Sequence, residues 1–162
     1  DLFSEVLASI RLKEPVAEIG CGSGQLTLLV ARRSTYVVGA DIDEKCIRAM
    51  KANSKLNCLD GYVDTVLCDS GSCLRNGSFG LVFTNPPYLP FDAEKPIDIS
   101  IAAGSDLRVL RSLIFNSTRI AKRGALVLFS LSSLTGLKIG RPVLCRRIAF
   151  EEICIYVVAK SA

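Results

Sequence analysis

Apolar residues recur along this chain in two alternating rhythms. Leu2, Phe3, Val6, Leu7 and Ile10 stand at helical spacing over residues 2–12, the recurrence of one buried helix face. Residues 15–19, Pro-Val-Ala-Glu-Ile, read as a short strand. A glycine-rich turn at 20–24 leads into a helix over 25–33. Residues 36–40 read as a strand, and 44–56 as a helix with Ile47, Ala49 and Met50 turned inward. Strands follow at 62–67 and 79–84, then an amphipathic helix over 107–121 and a strand over 125–131. Lys122, Arg123 and Gly124 look like a basic last turn and a glycine stop. Residues 145–159 read as two strands joined near Glu151 and Glu152. Strand and helix alternate from residue 15 to residue 131, which predicts an α/β fold: a mostly parallel sheet with helices on both faces. The final strand pair breaks the alternation and predicts one antiparallel C-terminal strand.

Length and composition narrow this picture. A chain of 162 residues predicts a single domain spanning 1–162. Hydrophobic residues make up 49% and mean hydropathy is +0.36, yet no apolar run reaches the ~18 residues of a membrane helix. The apolar surface must therefore enter a fully buried sheet or face a partner. No cleavable signal sequence is present, and the chain opens on Asp1, so a natural N-terminal segment is expected to be missing. Net charge is +4 without a Lys/Arg block, so neither a membrane nor a nucleic acid is expected as partner. Arg141, Arg146 and Arg147 read as a solvated basic loop. Seven cysteines lack CxxC spacing and no histidine is present, which argues against a metal site and a disulfide framework. The same absence of histidine excludes Ser-His and Cys-His catalysis within the chain. Most of the thiols read as small core residues, and a reducing, cytoplasmic setting fits, with nuclear presence allowed.

Candidate chemistry sits at the predicted strand ends. Asn85, Pro86, Pro87 and Tyr88 follow the strand at 79–84. The prolines restrict the backbone, so the Asn85 amide projects from a stiff loop at the ligand edge of an α/β sheet. A planar amide there suits recognition of another amide or of an amino-purine edge. Glu18 precedes Gly20, Gly22 and Gly24, a G-x-G-x-G turn. A dinucleotide fingerprint needs glycine at position 25, where Gln25 stands, and the Gly-Lys-Ser/Thr of a phosphate loop is absent. The turn therefore suits a cofactor without a pyrophosphate. Asp41 closes the second strand, where a carboxylate accepts from two ribose hydroxyls. Asp43 reads as a helix cap, and Asp69, after the third strand, as an acceptor for an adenine amino group.

On these residues the chain resembles the class I S-adenosylmethionine-dependent methyltransferases. It is most similar to the HemK/PrmC-like group that methylates a glutamine side chain of peptide-chain release factors. Leu126 to Ser130, Ser132 to Gly136 and Ala149 to Glu152 are similar to its short archaeal and eukaryotic branch. The resemblance implies a Rossmann-like, seven-stranded sheet, the cofactor S-adenosyl-L-methionine and the product S-adenosyl-L-homocysteine. It implies Glu18, Gly20, Gly22, Gly24, Asp41, Asp69 and Asn85 as cofactor-binding residues. Asn85, Pro86 and Tyr88 are implied as catalytic residues, and with Pro87 as the substrate-binding motif. The implied substrate is a class I release factor, and the implied partner a small zinc-binding activator subunit in a heterodimer. The edge strand from Tyr62 to Leu67, with apolar Val63 and Val66, is the expected docking edge. Two features depart from the family. Of its N-terminal Tyr-x-Pro-x-Glu-Asp stretch only Asp1, Leu2 and Phe3 stand as the end, and residues 103–109 copy its glycine-rich segment poorly. Rival readings are an adenine-N6 methyltransferase on DNA or RNA, a protein lysine methyltransferase and a non-catalytic cofactor-binding scaffold. The nucleic-acid reading lacks a recognition domain or basic groove.

Overall fold

The computed structural model describes residues 2–161; Asp1 and Ala162 lie outside the described residues. In chain order the elements are α1 (Leu2–Ser9), β1 (Val16–Ile19), α2 (Gln25–Ala31), β2 (Val37–Asp41), α3 (Glu44–Leu56) and β3 (Val63–Leu67). Then come β4 (Phe79–Thr84), α4 (Arg108–Ile120), β5 (Ala121–Ser132), β6 (Arg141–Ile148) and β7 (Glu151–Ala159). The strands form one seven-stranded sheet in the order β3-β2-β1-β4-β5-β7-β6. The first five pair in parallel, and β7 is antiparallel to both β5 and β6. This is the expected fold, with one antiparallel strand near the C-terminus. No described helix is long and apolar enough to cross a membrane.

Burial explains why the central strands read as apolar runs. All described residues of β1 and β4 are buried, as expected for parallel strands covered on both faces. Ala17, Ile19, Val82, Val127 and Phe129 face one layer with Leu110, Leu113 and Ile120 of α4. Val16, Leu81, Phe83 and Leu128 face the other, with Phe3, Leu7, Leu26 and Met50 of α1, α2 and α3. Chain direction across the sheet reverses between β1 and β4. That reversal opens a crevice at the carboxyl ends of the strands, the usual ligand position in open α/β sheets.

Several local expectations are corrected. Lys122, Arg123 and Gly124 do not close α4; the helix ends at Ile120 and Ala121 already pairs with Phe79. Gly124 takes φ +72 within the strand, and its N–H donates to the Lys160 carbonyl. The hairpin turns at Ala149 and Phe150, two residues earlier than expected, because Ala149 adopts φ +52. With the turn there, Cys145 lies opposite Cys154, and the two form a disulfide. The expectation of no bridge rested on cysteine spacing, which says nothing of two thiols brought opposite each other across a hairpin. Of the remaining thiols only Cys21 and Cys68 are buried, while Cys58 and Cys73 are exposed. Arg141, Arg146 and Arg147 lie on β6 rather than in a loop, and Arg146 pairs with Glu5 at 2.8 Å.

Gly80 marks a close backbone approach under the sheet. Its N–H donates to the Pro15 carbonyl, and an added Cβ would lie 2.5 Å from the Lys13 carbonyl oxygen. Backbone on both sides cannot retreat as a side chain can. Gly80→Ala should therefore lower the unfolding free energy by about 1–3 kcal/mol. Gly61, where a Cβ meets nothing within 4 Å, serves as the control; its alanine variant should change stability by less than about 0.5 kcal/mol. Urea denaturation of the two variants measures both, and equal losses would contradict the packing.

Candidate active site

Four strand ends converge on the crevice. After β1, Gly20, Gly22 and Gly24 take φ +74, +53 and +88, a left-handed backbone that glycine adopts without steric cost. The Gly20 and Cys21 N–H groups both donate to the Ala40 carbonyl, which ties the turn to the end of β2. A Cβ added at Gly22 would meet nothing within 4 Å, so its open face is available to a ligand. Gly24 differs: a Cβ there would lie 2.6 Å from Met50. Its role in this geometry is to let α2 start against α3.

Asp41 organises this turn. Its carboxylate accepts from the Gly22 N–H at 2.8 Å and from the Asp43 N–H at 2.9 Å, one bond on each oxygen. A carboxylate offers about four lone-pair sites, so acceptor capacity remains for two hydroxyls. Asp43 caps α3 through Lys45 N–H, as expected. The Asp41 carbonyl accepts from Cys68 N–H at 2.8 Å, which brings the turn carrying Asp69 beside it. Asp69 is exposed, and its carboxylate accepts from the Ser70 hydroxyl.

Glu18 is placed differently from the other acids. It is 2% exposed, beneath the glycine turn, and its carboxyl accepts from the Thr27 hydroxyl. Burial pushes its pKa from the ordinary 4.5 up to about 8, opposed by Thr27 and aided by the Asp41 charge. Burial raises the Cys21 thiol as well, with Glu18 and Asp41 adding to the effect. With Glu18 holding its proton up to about pH 8, Asp41 is the carboxylate left to face a ligand at this turn, and no Lys or Arg stands in residues 16–24. Such a setting favours a cationic ligand over a phosphate.

The acceptor side is built from β4 and β5. Thr84 ends β4 fully buried, and its hydroxyl has no hydrogen-bond partner among the described residues. That oxygen lies 4.0 Å from the place a Gly20 Cβ would occupy. An orphaned buried hydroxyl beside an open glycine turn is the mark of a site made for a ligand with polar groups. Asn85 is exposed, Pro86 buried, and Pro87 and Tyr88 are half-buried. The Asn85 Oδ1 accepts from the Ser130 hydroxyl of β5 at 2.5 Å. Ser132 on the same strand donates to Glu151. Burial, and then the Glu151 charge, raise the Tyr88 phenol. Beyond Tyr88 the chain closes a loop: Leu89 bridges Ala102, and Asp92 pairs with Arg108 at 2.6 Å. Ile97, Ile99 and Ile101 stand exposed on it. Sequence reading did not identify Ser130, Ser132 or Glu151, whose partners are distant along the chain.

The family model of the methyltransferase small domain matches residues 1–103. The chain belongs to the methyltransferase small domain family. It is 31% identical over 144 residues to a protein of Methanocaldococcus jannaschii provisionally named protein N5-glutamine methyltransferase, covering 85% of this chain and 71% of that protein. It is 33% identical over 86 residues to the release factor glutamine methyltransferase of Fusobacterium nucleatum, covering 50% of this chain but only 24% of that protein. Among solved structures, geranyl diphosphate C-methyltransferase of Streptomyces coelicolor, with S-adenosyl-L-homocysteine bound, superposes with TM-score 0.60 at 16% identity. That superposition covers 80% of this chain and 43% of the other. The architecture is thus the class I methyltransferase fold. The residues present fit the methyl donor: Gly22 is open, Asp41 retains acceptor capacity, the Thr84 hydroxyl has no partner among the described residues, and residues 16–24 hold no Lys or Arg.

Glu18 makes stability depend on pH. Below about 4.5 its carboxyl is protonated in both folded and unfolded chains. Between about 4.5 and about 8 the folded protein keeps a proton that the unfolded chain releases. Its contribution to stability therefore falls as pH rises through that window and levels off above it. Glu18→Gln should flatten this part of the curve and gain stability over the parent above pH about 8. Denaturant midpoints across pH measure it, and an identical slope in parent and variant would contradict the assignment.

Proposed function

We propose that the protein transfers the methyl group of S-adenosyl-L-methionine to the side-chain amide nitrogen of a glutamine in a class I peptide-chain release factor. The observation that carries this reading is the Asn85 amide, exposed at the crevice and held by Ser130. When bound, S-adenosyl-L-methionine supplies an electrophilic methyl group on a sulfonium, and the product is S-adenosyl-L-homocysteine. The protein's work is alignment. Asn85 Oδ1 and the Pro86 carbonyl accept the two N–H bonds of the substrate amide and stabilise positive charge developing on its nitrogen. The N–C bond forms as the C–S bond breaks, and one amide proton is lost to solvent. Tyr88 packs over the acceptor group. Asp41 accepts from the ribose hydroxyls, and Asp69 from the adenine amino group. Gly20 and Gly22 admit the methionine moiety, with Glu18 supporting the turn from below.

A partner belongs to the same reading. The edge strand β3 carries Leu67 exposed, and Tyr62 just before it is exposed as well. A small zinc-binding activator subunit would cover this edge by strand pairing. The relatives' names support the glutamine substrate. A second reading, methylation of a protein lysine, draws on Glu151, whose carboxylate near Tyr88 suits an amine acceptor.

Labelled methyl transfer separates these readings. Label should appear on a release factor, disappear in its Gln→Ala variant, and stay off DNA and a lysine-bearing histone peptide. Label on DNA or the lysine peptide alone would overturn the glutamine assignment. Ser130→Ala, which frees the Asn85 amide to rotate, should lower kcat about tenfold with little change in cofactor affinity. An unchanged kcat would remove Ser130 from the acceptor site.

A further inference from the structure

We propose that Arg119 is a positioning residue for the adenine side of the cofactor site, acting through the turn that carries Asp69. Arg119 lies in the last turn of α4, half-buried and distant from the crevice in sequence. All five of its N–H donors are engaged. Nε donates to Asn116 Oδ1 at 2.9 Å. One terminal nitrogen donates to the Leu74 carbonyl at 2.8 Å and to Asn76 Oδ1. The other donates to the Gly71 carbonyl at 3.0 Å and the Ser72 carbonyl at 3.1 Å. Every acceptor is a neutral oxygen, and four of the five belong to residues 71–76. The guanidinium fork thus gathers one segment, a task its fixed planar geometry suits and a lysine ammonium does not.

That segment needs gathering. Ser70 adopts φ +49 and Gly71 φ +72, two successive left-handed residues immediately after Asp69. Such a conformation at a non-glycine residue persists only where surrounding contacts over-determine it, and it concentrates at ligand sites. The turn is closed by the Ser72 N–H on the Asp69 carbonyl at 2.8 Å and by the Cys73 N–H on the Cys68 sulfur at 3.0 Å. Upstream, the Cys68 N–H on the Asp41 carbonyl ties the start of the turn to β2. Downstream, Arg119 ties residues 71–76 to α4 through bonds that span 43 to 48 residues of sequence. Its own carbonyl accepts from Gly77 N–H, which fastens the far end. Placing Gly71 and Ser72 therefore places Asp69 relative to Asp41.

The inference rests on Asp69 as the adenine contact, and titration calorimetry tests the two separately. The ligands are S-adenosyl-L-homocysteine and S-inosyl-L-homocysteine, which has a carbonyl in place of the adenine amino group. Asp69→Ala should weaken the adenosyl ligand about tenfold and the inosyl ligand by less than about threefold. Arg119→Met should show the same selective loss, and the double variant should be no weaker than Asp69→Ala alone. Arg119→Lys, which keeps the charge, should recover only part of the loss and serves as the test if Arg119→Met does not fold. Equal loss of both ligands would make Arg119 a support of the fold alone. Unchanged affinity for the adenosyl ligand in both Arg119 variants would overturn the proposal. An Asp69→Ala variant with parental affinity would remove the contact on which it rests.

Discussion

The Asp41 carboxylate is the contact on which the rest of this site depends. One oxygen holds the Gly22 N–H of the glycine turn, and the other holds the Asp43 N–H at the start of α3. The same residue's carbonyl receives the Cys68 N–H that leads into Asp69. A single residue at the end of β2, through its carboxylate and its carbonyl, therefore ties together the turn after β1, the helix after β2 and the start of the turn after β3. Charge-assisted bonds to backbone N–H groups are among the stronger ones in proteins. Because they use only part of the carboxylate's acceptor capacity, the group that assembles the crevice also remains able to bind in it.

On the other side of the reversal in strand order, the sheet itself does the placing. β4 lies between β1 and β5, so Thr84 reaches the glycine turn while Asn85 reaches Ser130. The donor side and the acceptor side are then one residue apart, at the end of a fully buried strand and just beyond it. Such a strand has little freedom to move, which suits a reaction whose acceleration comes mainly from alignment. The Asp41 carboxylate acts in the same direction, since its charge favours a cationic donor.

Much of this was legible in the sequence, for identifiable reasons. The strands β1, β2 and β4 are buried on both faces and announce themselves as apolar runs between glycine, aspartate and proline signals. The glycine turn, Asp41, Asp69 and Asn85 each sit at such a boundary, so their convergence follows from the fold alone. β6 was only half visible, because it is an exposed edge strand without alternation. The hairpin turn depended on the left-handed backbone of Ala149, which the local sequence does not signal. The pairing of Cys145 with Cys154 follows from that turn's register, which cysteine spacing alone does not reveal. Glu18 read as a ligand contact, whereas the strand's alternation turns it under the turn toward Thr27. The roles of Ser130 and Arg119 were beyond reach, since the hydrogen bonds that give them those roles cross 43 to 48 residues of sequence.

The central claim is that donor and acceptor are held by separate residues on the two sides of β4. Calorimetric binding of S-adenosyl-L-homocysteine to Asp41→Ala and Asn85→Ala tests it most directly. The account predicts a loss of more than about tenfold in affinity for Asp41→Ala, and a change below about threefold for Asn85→Ala despite its loss of turnover. Equal losses in the two variants would contradict it.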